Sequence, residues 1–214
     1  GNTAKIYPDL VEKQITMTRT DVAKWKRAWQ SAITDDNPVR YMLFNMYENE
    51  ILMDTTLSSQ IENRKNDTLG TGFNLLNSKN EIDPELTEEF QNSELFNDII
   101  NAILDTRFQG HSVIELDWKD DELKCELIPR QNVLPVQGEI ILDYDFDKRI
   151  KYRERPEYGT WLLEFGKDKN LGLLNKAVPH VLFKKFAQSC WSELCEIYGI
   201  PPRVYKTDAQ DPRA

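Results

Sequence analysis

Residues 95–127 read LFNDIINAILDTRFQGHSVIELDWKDDELKCEL, and the change of period inside this stretch decides the fold class. Leu95, Ile99 and Ile103 form one i, i+4 row, and Phe96, Ile100, Leu104 and Phe108 form the next. Two adjacent rows at helical spacing predict an amphipathic helix. Gly110 stops it. After Gly110 the period falls to two. Ile114, Leu116 and Trp118 alternate with Val113, Glu115 and Asp117, and then Leu123, Cys125 and Leu127 alternate with Glu122, Lys124 and Glu126. Two alternating runs around the polar turn Lys119-Asp120-Asp121 predict a β-hairpin.

Downstream, the pattern predicts strands over Glu139–Phe146, Ile150–Arg153 and Thr160–Phe165. A helix then runs from about Leu171 to Tyr198, with Pro179 kinking or dividing it. Phe183, Ala187, Trp191, Leu194 and Tyr198 mark its expected buried side, Gly199 suits a left-handed cap, and Pro201-Pro202 forbid continuation. A last strand is expected over Arg203–Lys206.

Upstream, Thr20 caps a short helix that ends near Ile33. Pro38 opens a long helix from about Val39 to Lys65, on which Met46, Met53, Leu57 and Ile61 make one apolar stripe. A short strand over Phe73–Leu76 follows. Asp83-Pro84 begins a further helical stretch, broken near Asn92-Ser93. Helices, then strands, then helices give an α+β fold: long amphipathic helices packed on a small, mostly antiparallel sheet. The expected organisation is an extended arm over residues 1–19, a single domain over 20–206, and a tail over 207–214 that reads as a truncation point.

The composition narrows the function. The chain has 214 residues, 40% hydrophobic and 29% charged, which argues against a largely disordered protein. Its net charge of −9 argues against a module that grips nucleic acid by neutralising phosphates, though not against weak contact with DNA. No run approaches the ~20 apolar residues of a membrane helix. The N-terminus has no apolar signal segment, and Gly1 without a preceding Met reads as a cleavage scar. Three cysteines, Cys125, Cys190 and Cys195, show no framework spacing, and this points to free thiols in a reducing cytoplasm. Cys190 and Cys195 read as small core residues.

Candidate chemistry is sparse. Asp143, Asp145 and Asp147, with Glu154 at the twelfth position, have the spacing of a calcium loop. Lys148 stands where the sharp turn wants Gly, and no helix flanks the loop. The alternation with Tyr144 and Phe146 fits a strand better. Lys148, Arg149, Lys151, Arg153 and Arg155 form a basic stripe, either a track for a phosphate backbone or a solvated strand face paired with nearby acids. Lys184-Lys185 reads as a wet helix face. His111 and His180 have no ligand-spaced partner and read as surface or capping residues. No nucleophile elbow, phosphate loop, dinucleotide fingerprint or zinc-protease motif occurs. No cofactor is implied.

The C-terminal block carries a resemblance. Leu171-Gly172-Leu173-Leu174, then Lys184-Lys185-Phe186-Ala187, then Trp191-Ser192-Glu193-Leu194-Cys195-Glu196-Ile197-Tyr198-Gly199-Ile200-Pro201 run into Arg203-Val204-Tyr205-Lys206. This series resembles the Mu-type bacteriophage portal proteins. Glu48 to Lys65, with Arg64-Lys65 at its end, and Gly110 to Trp118, with Glu115 and Trp118 in place, are similar to two further blocks of that family in the same order. Asn175 departs from a usual Arg, and Cys195 from a usual aromatic. The resemblance makes Gly110, Glu115, Trp118, Gly172, Lys184, Trp191, Glu196, Tyr198, Gly199 and Pro201 signature residues of architecture.

It further implies a non-enzymatic subunit of a closed ring at the portal vertex of a phage or prophage head, assembled in the bacterial cytoplasm. Double-stranded DNA passes through such a ring without sequence-specific binding, terminase and head proteins dock on it, and no membrane is involved. Family members run to about twice this length, so the chain is expected to be an N-terminal part or a short relative. Lys148, Arg149, Lys151 and Arg153 are the candidate DNA or subunit contacts. The alternatives are a head adaptor or scaffold of similar fold, and a metal-dependent hydrolase using Asp143, Asp145 and Asp147.

Overall fold

A computed structural model describes residues 22–33, 37–119, 122–142 and 147–199. The arm over 1–19, Thr20, Asp143, Asp145, Pro201, the strand over 203–206 and the tail lie outside the described residues.

The helices are α1 (Val22–Ile33), α2 (Tyr41–Met46), α3 (Thr55–Leu69), α4 (Pro84–Gln91), α5 (Glu94–Gln109) and α6 (Leu174–Tyr198). The long helix expected over Val39–Lys65 is instead three pieces. After α2 the chain takes one π-helical turn, Tyr47–Ile51, and then restarts as α3. The restart has a local cause. Asp54 is extended and its carboxylate accepts from the Leu57 amide at 2.9 Å, an N-cap within the expected helix. The break rotates the stripe: Met46 and Ile61 are buried, whereas Met53 is 59% exposed. Asp83 and Ser93 cap α4 and α5 in the same way, so the break expected near Asn92-Ser93 is present. The strand expected over Phe73–Leu76 is reduced to one bridge, Leu76 to Ile82.

Gly110, at φ +93°, ends α5 and turns the chain into the hairpin β1 (His111–Lys119) and β2 (Glu122–Leu127). The strands β3 (Val133–Leu134), β4 (Glu139–Ile141), β5 (Arg149–Lys151) and β6 (Leu162–Gly166) follow. The first sheet has the order β2-β1-β6 and the second β3-β4-β5, and every pairing is antiparallel. Because β1 is central, His111 to Glu115 are all buried and the expected alternation is lost over that half. His111 is therefore a core residue, 2% exposed, and not the surface residue expected; His180 is exposed. The last piece of the expected Ile150–Arg153 strand is a 3-10 turn, Tyr152–Glu154, that buries Tyr152.

Two apolar clusters form. Leu43, Phe44, Tyr47 and Ile51 pack with Ala28 and Ala32 of α1 and with Leu174, Val178 and Leu182 of α6. Val113, Ile128, Ile140, Tyr152 and Leu162 fill the space between the sheets. Pro179 lies inside α6 and does not divide it.

The second half of α6 overturns an expectation. Phe183 is 66% exposed, Trp191 67% and Tyr198 75%, and Ala187 and Leu194 are exposed as well. Cys190 and Cys195 are exposed too, not core residues. Aromatic spacing on a helix reports an apolar face, but among the described residues no other element covers this one. Gly199 has φ −70°, so the expected left-handed cap is also absent.

Candidate subunit interface

The exposed half of α6 projects from a tightly fixed root. Between β6 and α6 the chain passes through Lys167 to Leu173, and buried groups hold this connection. Arg40, 1% exposed, donates from Nη1 to the Asn170 carbonyl at 3.0 Å and from Nη2 to the Asp168 carbonyl. Tyr47 Oη donates to the Leu171 carbonyl at 3.0 Å. Burial lowers the Arg40 guanidinium to about 10, with Tyr47 and Asp168 opposing the shift, and burial raises the Tyr47 phenol.

Gly110 and Gly172 interlock at the same place. A Cβ on Gly110 would lie 2.3 Å from the Asn170 oxygen, and one on Gly172, at φ +74°, would lie 1.9 Å from the Phe108 oxygen. Both positions demand glycine for conformation and for space. The end of α5 and the start of α6 thus touch backbone to backbone.

Glu164 on β6 gathers the polar groups of the neighbouring elements. Its Oε1 meets His111 Nε2 at 2.7 Å, Tyr152 Oη at 2.7 Å and Arg153 Nη2 at 2.5 Å; its Oε2 accepts from Arg153 Nε at 3.0 Å and from Tyr158 Oη at 2.6 Å. Burial would raise this carboxyl, but the bonds from His111, Arg153, Tyr158 and Tyr152 outweigh it and hold the group well below its ordinary value. Five bonds occupy the carboxylate's lone pairs, which makes Glu164 a structural hub. Arg130 does comparable work beneath β1: its guanidinium donates to the His111 carbonyl at 3.1 Å and to Ser112 Oγ at 2.9 Å.

Glu115 is buried on β1, and Trp118 is 61% exposed at the hairpin end. Lys184 and Lys185 are solvent-accessible as expected, but both are engaged: Lys184 Nζ lies 2.7 Å from Asp54 Oδ2 and 3.1 Å from Thr56 Oγ1, and Lys185 donates to the Glu50 carbonyl at 2.7 Å. These lysines tie α6 to the π turn and the cap of α3. The bond from Lys184, then the Leu57 amide, lowers the Asp54 carboxyl. Glu196 is exposed.

Of the basic stripe, Arg149 pairs with Glu139 at 3.3 Å, Lys151 with Glu154 at 3.1 Å, and Arg153 with Glu164 and Asp168. Asp147 is exposed, and among the described residues no group of three His, Cys, Asp or Glu is placed to hold a metal. No described helix is long and apolar enough to cross a membrane.

The sequence reading missed Arg40, Tyr47, Arg130 and Glu164. Isolated polar residues carry no periodic signal, and their partners lie far away in sequence, 124 residues away for Tyr47 and Leu171.

The profile of the family described as the portal protein of Mu bacteriophage matches residues 44–214. The chain belongs to that family. No curated protein matches it. The match runs from the last turn of α2 through α6, including the interlocked glycines, the Glu164 hub and the exposed half of α6. Portal proteins of this kind are structural components of phage particles.

Proposed function

We propose that the chain is a structural subunit of the portal ring at one vertex of a phage head, and that it performs no chemistry of its own. In this reading the ring is assembled in the bacterial cytoplasm, terminase and head proteins dock on it, and double-stranded DNA passes through it.

One observation carries the reading. From Phe183 onward α6 presents Phe183, Phe186, Trp191, Leu194 and Tyr198 at 44–75% exposure, on a helix whose root is clamped. Large exposed apolar faces mark interaction sites, and aromatic residues dominate the buried centres of interfaces. A second copy is the occupant that portal membership supports. Closed rings join one surface of each subunit to a different surface of the next. The net charge of −9 fits a conduit that must let phosphate slide past.

The test is a concentration series of the chain by sedimentation velocity, with negative-stain microscopy of the heaviest species. Rings with a central hole support the reading. A monomer at every concentration overturns it for this chain, and closed particles without a hole favour a head adaptor.

A further inference from the structure

Trp118 stands in a cleft of about 600 Å³ between the β2 edge and the start of α5. Leu95 and Leu123 supply apolar wall, and Glu89, Glu94, Asp98, Glu122 and Glu126 surround it. Lys119 pairs with Glu126, and Lys124 lies 4.0 Å from Glu122. Among the described residues no cation pairs with Glu89, Glu94 or Asp98. Burial, and then Glu94, raises the Asp98 carboxyl, and burial, followed by Asp98 and Glu126, pushes the Cys125 thiol up to about 11. An exposed indole among carboxylates suits a cationic side chain, which gains from ring face and charge together.

The same chain carries such cations at the opposite corner of the sheet. β2 and β6 lie on opposite edges of β1. Trp118 pairs with Leu123 at one end of β1, and His111 pairs with Gly166 at the other. Lys167 and Lys169 follow Gly166 directly and are exposed. Arg153 binds Asp168 between them at 2.7 Å, which brings the β5 end, with exposed Lys151 and its equally exposed partner Glu154, to the same corner. The seven residue steps from His111 to Trp118 span about 23 Å of strand. One molecule cannot close that distance on itself, whereas two molecules meeting head to tail can.

We propose that the Trp118 cleft of one copy receives the Lys151, Lys167 and Lys169 corner of the next. This inference rests on the ring reading above and deepens it by naming a pair of surfaces. The contact is heterologous, as a ring requires, and local complementarity of charge fixes its register against the repulsion of two acidic chains. The basic corner then serves a subunit and not the DNA.

Two variants of the full chain test it: Glu94→Lys with Asp98→Lys, and Lys151→Glu with Lys167→Glu. Each alone sets like charges face to face and weakens self-association about tenfold or more, by sedimentation at low salt. An equimolar mixture of the two restores complementarity at both kinds of contact and recovers association to within about threefold. Misfolded variants could not rescue each other, and circular dichroism checks each one.

Unchanged association of either variant, or a mixture of folded variants that fails to recover, overturns the inference. Loss of duplex DNA retention in Lys151→Glu with Lys167→Glu, with self-association intact, overturns it in favour of a DNA surface. Association that falls with Trp191→Ser but ignores all the charge reversals keeps the ring reading and sinks this contact alone. A wild-type chain that stays monomeric sinks both.

Discussion

The α-carbon of Gly172 faces the carbonyl of Phe108 so closely that a methyl group there would sit 1.9 Å from the oxygen. This contact locks the exit of α5 to the entry of α6, and everything α6 presents to other molecules depends on it. Gly172→Ala must move backbone against backbone while also adopting φ +74°. We expect a loss of about 3 kcal/mol or more, read as a drop in the urea midpoint. A variant as stable as wild type would mean that the two segments are not in contact.

Arg40→Met removes a guanidinium that no water reaches and leaves the Asp168 and Asn170 carbonyls without their donors. The expected cost is about 2–4 kcal/mol. Arg40→Lys should recover only part of it, because an ammonium cannot span two carbonyls as a planar fork does. Thermal melts of the two variants, ranked Met below Lys below wild type, check the argument.

Glu164 gives the chain an acid-sensitive joint. Its folded-state carboxyl is held below the ordinary value of 4.5, so the stabilisation is fully present above that pH and drains away as the pH falls below it. Glu164→Gln should cost about 2–4 kcal/mol at pH 7. The gap between wild type and variant should narrow toward pH 3, because wild type is losing what the variant never had. Paired urea titrations at pH 7 and pH 3 measure this, and a gap that is constant or widens toward acid would refute it.

Trp191→Ala should leave the stability of the single chain within about 0.5 kcal/mol of wild type, as for other exposed positions. Its effect should fall on self-association. A large loss of monomer stability would show that the helix face is covered within the chain.

The thiols should separate by accessibility. Cys190 and Cys195 are exposed on α6, whereas the Cys125 thiol is raised to about 11 in an acidic cleft. Thiolate is the reactive form. Iodoacetamide at pH 8 should modify two sites quickly and Cys125 slowly, with peptide mass spectrometry assigning the order.

Local chemistry made much of the fold legible. The period change at Gly110, the caps at Asp83 and Ser93 and the alternation of β2 each depend on residues within a few positions of one another, so they could be read directly. The break at Asp54 was local as well, but its signal, one aspartate three residues before a leucine, was hidden under an apolar stripe that continued across it. Gly110 and Gly172 were visible as glycines. Their purpose was not, because it lies in a contact between segments 64 residues apart, Phe108 and Gly172.

The order of helices and hairpin, the acidic balance and the portal signature were determined by the sequence alone, since periodicity, charge and motif are properties of the chain. Tertiary structure decided which apolar face is buried. An amphipathic pattern states that a surface seeks a partner, but only the lengths and positions of the other elements determine whether that partner lies in the same molecule. For the first turns of α6 it does. For Trp191 and Tyr198 no partner lies among the described residues, and the same aromatic residues that read as core are exposed.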